Sequence, residues 1–175
     1  MNRISIDIEK WQIKPHDLWD NQWLLLTSGD FSSGEFNCMT VGWGSFGTMW
    51  NKPFAMVVVR PQRYTYQFME KYPDFSLCAF QGEDQPALSL LGKKSGRDGN
   101  KIKLAGLTPI ASSQIQAPIF QEAILAIECK KTYWHDFNPQ HFLAGEIHSK
   151  YPLKDYHRVY FGEILTINAT EAFNG

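Results

Sequence analysis

Residues able to do chemistry gather in three stretches of the chain. The first, VGWGSFGTMW over 41–50, carries Gly42, Gly44 and Gly47 in G-x-G-x-x-G order. Ahead of a helix, that order seats the pyrophosphate of a dinucleotide. The second, RPQRYT over 60–65, puts Arg60, Arg63 and Thr65 at the foot of a candidate helix, as an anion site requires. The third, KKSGRDGNK over 93–101, is basic but lacks the order of a phosphate-binding P-loop. On residue types alone, the second stretch reads equally well as solvated charge with Thr65 only capping its helix, and most side chains of the third read as a flexible charged surface loop. No Ser-His-Asp or paired-carboxylate signature nominates a catalytic residue. Cys38, Cys78 and Cys129 are odd in number and far apart, with no zinc spacing. They read as free buried thiols in a reducing cytoplasm, and no metal site is expected.

The elements that must position these residues are mostly strands. Short apolar runs at 23–27, 54–59, 75–80, 123–129, 142–148 and 159–167 are bounded by turn residues. Helical signals are confined to Tyr64–Tyr72, ended by Pro73, to Gln85–Leu91, followed by Gly92, and to a turn or two near Pro15–Trp19. Several strands with short helices between them point to a mainly antiparallel all-β barrel, whose closure hides the sheet edges. This context defeats the glycine fingerprint. Asn51-Lys52-Pro53 reads as a turn, a strand follows it, and the first acid after Gly47 is Glu70, inside a candidate helix. The glycines instead mark a bulge or bend in a barrel strand, where a ligand can also approach the backbone closely.

Composition fits one domain over residues 1–175, with 43% hydrophobic and 20% charged residues. A net charge of −1, from 17 basic and 18 acidic residues, argues against nucleic acid as a partner. No apolar run approaches the roughly 20 residues of a membrane span, and residues 1–15 show no signal-peptide core. A cytoplasmic protein without membrane contact is expected. The 14% aromatic content, with six Trp, suits a core, a planar ligand or a subunit interface.

Taken in order, FNCMTVGWGSFGTMWNKPFAMVVVRPQRYTYQFMEKYPDFSLCAF (36–80), LGKKSGRDGNKIKLAGLTP (91–109), IFQEAILAIECK (119–130) and HFLAGEIHS (141–149) resemble the flavin reductase-like proteins with an FMN-binding split barrel, flavoredoxin-like branch. The shared pattern is Asn37-x-Met39-Thr40-Val41-x-Trp43, Pro53, an apolar strand, Arg60-Pro61 and Tyr64-Thr65. The resemblance implies a Greek-key split β-barrel with short peripheral helices, and a homodimer with FMN near the subunit interface. It implies an oxidoreductase reduced transiently by NADH or NADPH, which passes electrons to a small-molecule or protein acceptor. A flavoredoxin-like electron carrier is the alternative, and a non-enzymatic barrel for another planar ligand such as haem is the reading from outside the family.

The same resemblance implies a cofactor site. Arg60, Tyr64 and Thr65 would receive the phosphate, with Lys101 at the end of the basic loop and Ser95 as a lesser contributor. Asn37 could donate and accept at the ring edge, and Met39 and Thr40 would contribute backbone. Cys38 and Ser45 belong to the same stretch. Trp43 would flank the ring, His141 would touch the cofactor or close the site, and Phe173 would cover it from the C-terminal tail.

Overall fold

Strands dominate the computed structural model, which describes residues 2–175. In chain order they are β1 (Ile4–Ile6), β2 (Leu24–Asp30), β3 (Glu35–Val41), β4 (Gly44–Met49), β5 (Lys52–Val59), β6 (Asp74–Ala79), β7 (Pro109–Ile110), β8 (Ile119–Phe120), β9 (Leu125–Asp136) and β10 (Arg158–Ala169). The helices are α1 (Pro15–Asp17), α2 (Tyr64–Lys71), α3 (Gln85–Lys93) and α4 (Lys101–Leu104). β7 and β8 form a small separate hairpin, and the rest form one antiparallel sheet in the order β3-β2-β6-β9-β10-β5-β4. β10 is long enough to pair with β5 through its first half and with β1 through its last three residues. The two ends of that order, β3 and β4, are joined covalently through Gly42 and Trp43. Among the described residues no ladder pairs them. The barrel is therefore split where Trp43 stands.

Period-2 alternation sends each strand's side chains to two apolar surroundings. Leu24, Leu26, Val57, Val59, Phe75, Leu77 and Ile127 fill the barrel interior. Leu25, Cys38 and Cys78 point outward into a second core beneath α3, with Leu88, Leu91 and Phe120. A run of three leucines is what a strand buried on both faces requires. All three cysteines are buried and free. α2 and α3 pack on β2 and β3. Among the described residues no comparable helix covers the outer face of β4, β5, β10 and β9, which presents a run of aromatics. The Phe161 ring lies 5.3 Å from Phe54 and 5.9 Å from Tyr133, with Trp50 6.2 Å from Tyr133.

The G-x-G-x-x-G stretch runs into a strand hairpin. β4 turns at Trp50 and Asn51, both at positive φ (53° and 58°), and returns as β5. Two successive positive φ values make the tight two-residue hairpin turn whose twist suits its strands. The turn thus falls one residue earlier than expected, and Lys52 and Pro53 already belong to β5. Gly44 is demanded by packing: a Cβ there would stand 2.4 Å from both the Met56 carbonyl oxygen and the Trp19 ring. The close neighbour this glycine admits is Trp19 of the same chain.

The strand expected at 142–148 does not form. β9 and β10 pair directly with each other from Asp136–Arg158 to Leu125–Ala169, which leaves no edge between them for another strand. Residues 137–157 instead make 3-10 turns at Pro139–His141 and Gly145–Lys150. They are held by aromatic packing in which Phe142 stacks on Tyr151 at 5.9 Å and Tyr151 meets Tyr156 at 4.9 Å.

Candidate functional site

Two cavities follow one another along β3 and along the connection from β5 to α2. The first, of about 190 Å³, is lined by Asn37 of β3, Gln62–Thr65 at the start of α2, and Lys93–Arg97 with Lys101 from the basic loop. Its lining holds five cations, Arg63, Lys93, Lys94, Arg97 and Lys101, and no carboxylate. Arg63, the residue before α2, offers no capping side chain. The first amides of the helix, on Tyr64 and Thr65, have no intrahelical acceptor, and the positive end of its dipole lies at this cavity. Thr65 is buried; its hydroxyl donates to the Cys38 carbonyl (3.1 Å) and accepts from the Asn37 amide (2.8 Å).

Two of the cations also finish α3. Arg63 donates to the Gly92 carbonyl (2.5 Å), and the buried Lys101 ammonium donates to the carbonyls of Leu91 (2.9 Å) and Lys94 (3.1 Å). These are carbonyls that a helix C-terminus leaves without partners. Burial pushes the pKa of both cations down from their ordinary values. Among the described residues neither has a carboxylate to offset that cost, so an anion in the cavity would stabilise both. The basic loop can close on this site because residue 96 is glycine. A Cβ there would stand 2.3 Å from Asn37 Oδ1 and 2.9 Å from the Tyr64 ring.

The second cavity, of about 200 Å³, is lined by Met39 to Trp43, Val58, Arg60 and His157. Trp43 is half exposed and its ring lies 5.2 Å from that of His157. His157 is buried, with Nδ1 2.7 Å from the Tyr151 hydroxyl. Burial, assisted by the nearby Arg60 charge, pulls its pKa down to about 4, so the ring is neutral at pH 7. Arg60 donates to Asp155 (2.7 Å) and to the Lys150 carbonyl (2.8 Å), and its guanidinium stacks 5.0 Å from the Tyr151 ring. It ties down the 137–157 segment and lines this second cavity, apart from the five cations of the first.

The structure thus gathers Asn37, Tyr64, Thr65, Ser95 and Lys101 at one cavity, and Met39, Thr40, Trp43 and Arg60 at the next. The Thr40 hydroxyl is committed to the Leu88 carbonyl of α3 (2.5 Å). The Cys38 side chain lies in the outer core, and only its carbonyl reaches the site, through Thr65. Ser45 lines a neighbouring cavity with Trp43, Trp19 and the α1 region. Two expected residues are not brought in. His141 is exposed in its 3-10 turn, with its ring 3.3 Å from the Asn138 amide. Phe173 packs on the barrel interior beside Trp11 and Ile13, where the tail is pinned by Gln12 N–H to Phe173 O and Gly175 N–H to Lys10 O (both 2.9 Å).

His157, Tyr151 and Asp155 are missing from the sequence reading. A signal for the first was present. Gly-Glu-Ile occurs twice, at 145–147 and 162–164, with His141 four residues before the first and His157 five before the second. Only the second copy is a strand.

The family model described as "Flavin reductase like domain" matches residues 21–171. The chain belongs to the flavin reductase-like family. Among curated relatives, an uncharacterised protein of Pyrococcus abyssi is 26% identical over 114 residues, which span 65% of this chain and 64% of that protein. Solved flavin reductase-like structures share the fold. An FMN-binding domain of a flavin reductases-like enzyme from Shewanella baltica superposes with a TM-score of 0.69 at 16% identity, over 96% of this chain and 77% of its own. A flavoredoxin from Methanosarcina acetivorans gives 0.68 at 22% identity, over 98% and 77%. The split barrel that the resemblance implies is thus the fold of this chain. No helix of the described residues is long and apolar enough to cross a membrane.

Proposed function

We propose that this chain is an FMN-binding oxidoreductase, reduced by NADH or NADPH and reoxidised by free flavin, ferric iron, oxygen or a protein. The observation that carries the reading is the cavity with five cations and no carboxylate at the start of α2, next along β3 to a cavity lined in part by Trp43 and His157. FMN is long and asymmetric, with a dianionic phosphate at one end and a planar ring at the other, and the two cavities match those ends in order. The amides of Tyr64 and Thr65, with Arg63, Ser95 and Lys101, would hold the phosphate. Asn37 and the backbone of Met39 to Val41 would run beside the ribityl chain and ring. Trp43 and the neutral His157, packed against each other, would meet the ring from one side, with His157 oriented through Nδ1 by Tyr151.

When bound, the flavin would supply hydride and electron transfer, so the reading requires no acid–base pair from the chain. Its residues position the cofactor, limit access to it and set the polarity around it. Arg60 and Asp155 fix the segment that carries Tyr151 and His157. The unpaired thiols fit a reducing, cytoplasmic setting. A homodimer is part of the proposal, since the aromatic outer face of β4, β5, β9 and β10 is larger than single scattered apolar residues would make it.

The test is direct. Purified protein, titrated with FMN, should bind it, and anaerobic mixing with NADH or NADPH should bleach the flavin absorbance. Failure to bind flavin in either redox state would remove the reading. Binding without bleaching by either nicotinamide, but with reduction by a ferredoxin-type donor, would replace the reductase with an electron carrier.

A further inference from the structure

We infer that a cavity between residues 12–22 and residues 170–173 binds a small zwitterion with an apolar side chain, the chemical class of the apolar α-amino acids. Nothing in this site depends on a bound flavin. The cavity, of about 490 Å³, has the size of a small-molecule site and shares no lining residue with the two cavities along β3. Residues 14–22 divide at helical spacing. Lys14, Asp17, Leu18 and Gln22 line this cavity, while Pro15, His16, Trp19 and Asp20 line the one that holds Trp43 and Ser45. The facing segment is fixed by backbone bonds, from Gln12 N–H to Phe173 O and from Thr170 N–H to Ile124 O (both 2.9 Å).

The lining offers two kinds of chemistry. Leu18 belongs to the inner core, and Ile13, Ile124 and Phe173 pack on that core while staying partly exposed, which makes an apolar floor with one flat ring. Lys14 and Asp17 line the same cavity. They are opposite charges three residues apart, yet among the described residues they form no ion pair with each other or with any other group. Asn21 and Gln22 donate to the two Asp17 oxygens (2.8 and 2.7 Å). Those bonds hold the carboxyl below the usual carboxylate range, so Asp17 is an oriented anion with a lone pair left on each oxygen. An α-ammonium on Asp17 and an α-carboxylate on Lys14 would satisfy both charges at once and lay the side chain on the apolar floor. A simple anion would leave Asp17 unpaired, and a simple cation would leave Lys14 unpaired. The exposed amides of Gln12 and Gln81 can donate or accept beside them.

Isothermal titration of the intact chain with L-phenylalanine and L-leucine tests this. Wild type should give saturable binding at one site. N-acetyl-L-phenylalanine keeps the carboxylate without the ammonium, and 2-phenylethylamine keeps the ammonium without the carboxylate. Each should bind about tenfold more weakly than L-phenylalanine, because one hydrogen bond to a charged group is lost. L-phenylalanine should lose about as much on Asp17→Asn and on Lys14→Gln. Thermal unfolding checks that both variants are folded, and the comparison of ligands on wild type decides the matter even where a variant is not. Three results would overturn the inference: no saturable binding of either amino acid, equal binding of L-phenylalanine and its two single-charge analogues, or full affinity in a folded variant.

Discussion

His157 is the residue whose surroundings say most. Its folded pKa of about 4 lies below the ordinary 6.5, so between those values the unfolded chain holds a proton that the native chain does not. Stability must therefore be full above pH 6.5 and fall as pH drops toward 4, by on the order of 3 kcal/mol across the window. Urea midpoints from pH 7.5 to 4.5 should show that slope, and His157→Gln should flatten it. Gly44 makes a steric prediction of its own. A methyl at that position meets a backbone carbonyl and the Trp19 ring at 2.4 Å, so Gly44→Ala should cost about 2 kcal/mol in thermal or urea unfolding. A variant as stable as wild type would show that the strand can shift away from Trp19. Neither point was readable from residue types. A buried histidine and a surface one are spelled the same way, and the glycine spacing suggested a nucleotide loop because Trp19, its real cause, lies 25 positions upstream. Thr65 read from residue types as an anion-site residue or a mere helix cap alike, and only the family pattern pointed to Lys101. Their geometry adds that both are buried, and that Lys101 is spent on carbonyls.

At the scale of elements, the end of α3 and the candidate site are one construction. Lys101 and Arg63 hold the last carbonyls of the helix and line the cation cavity at the same time. Lys101→Met should thus do two things together. Leaving the Leu91 and Lys94 carbonyls without their donor should lower stability by about 1–2 kcal/mol, and flavin affinity should drop. Chemical denaturation and an FMN titration on the same sample check both, and a variant that loses neither would detach the helix end from the site. The sequence located most strands and both longer helices, because apolar runs bounded by turn residues are local signals. It failed at 142–148, where the run was apolar but sheet pairing had already been completed by β9 and β10. Strand pairing is a property of the whole sheet, and no window of seven residues contains it.

Across the whole molecule, all of α2 and α3 lies on the β2–β3 side, and the opposite aromatic face is bare. If a second copy covers that face, sedimentation should give twice the mass of one chain, and the exposed Tyr133 changed to Glu should shift the protein toward monomer. Wild type that sediments as a monomer at micromolar concentration would remove the dimer from the proposal. Barrel class was legible at this scale, since strand count and turn spacing accumulate over 175 residues. The position of the split at Trp43 was not, because it depends on which two strands stay unpaired. The three cysteines carry a different consequence. Sealed in the two cores, Cys38 and Cys78 are pushed up to about 12 and Cys129 well above its ordinary value, so none is a thiolate at neutral pH. Iodoacetamide should label none in the native protein and all three after denaturation. A flavoprotein that loses electrons to air makes peroxide within ångströms of its own side chains. If the chain turns over a flavin as proposed, its three thiols, hidden and protonated, would offer that by-product no fast cysteine target.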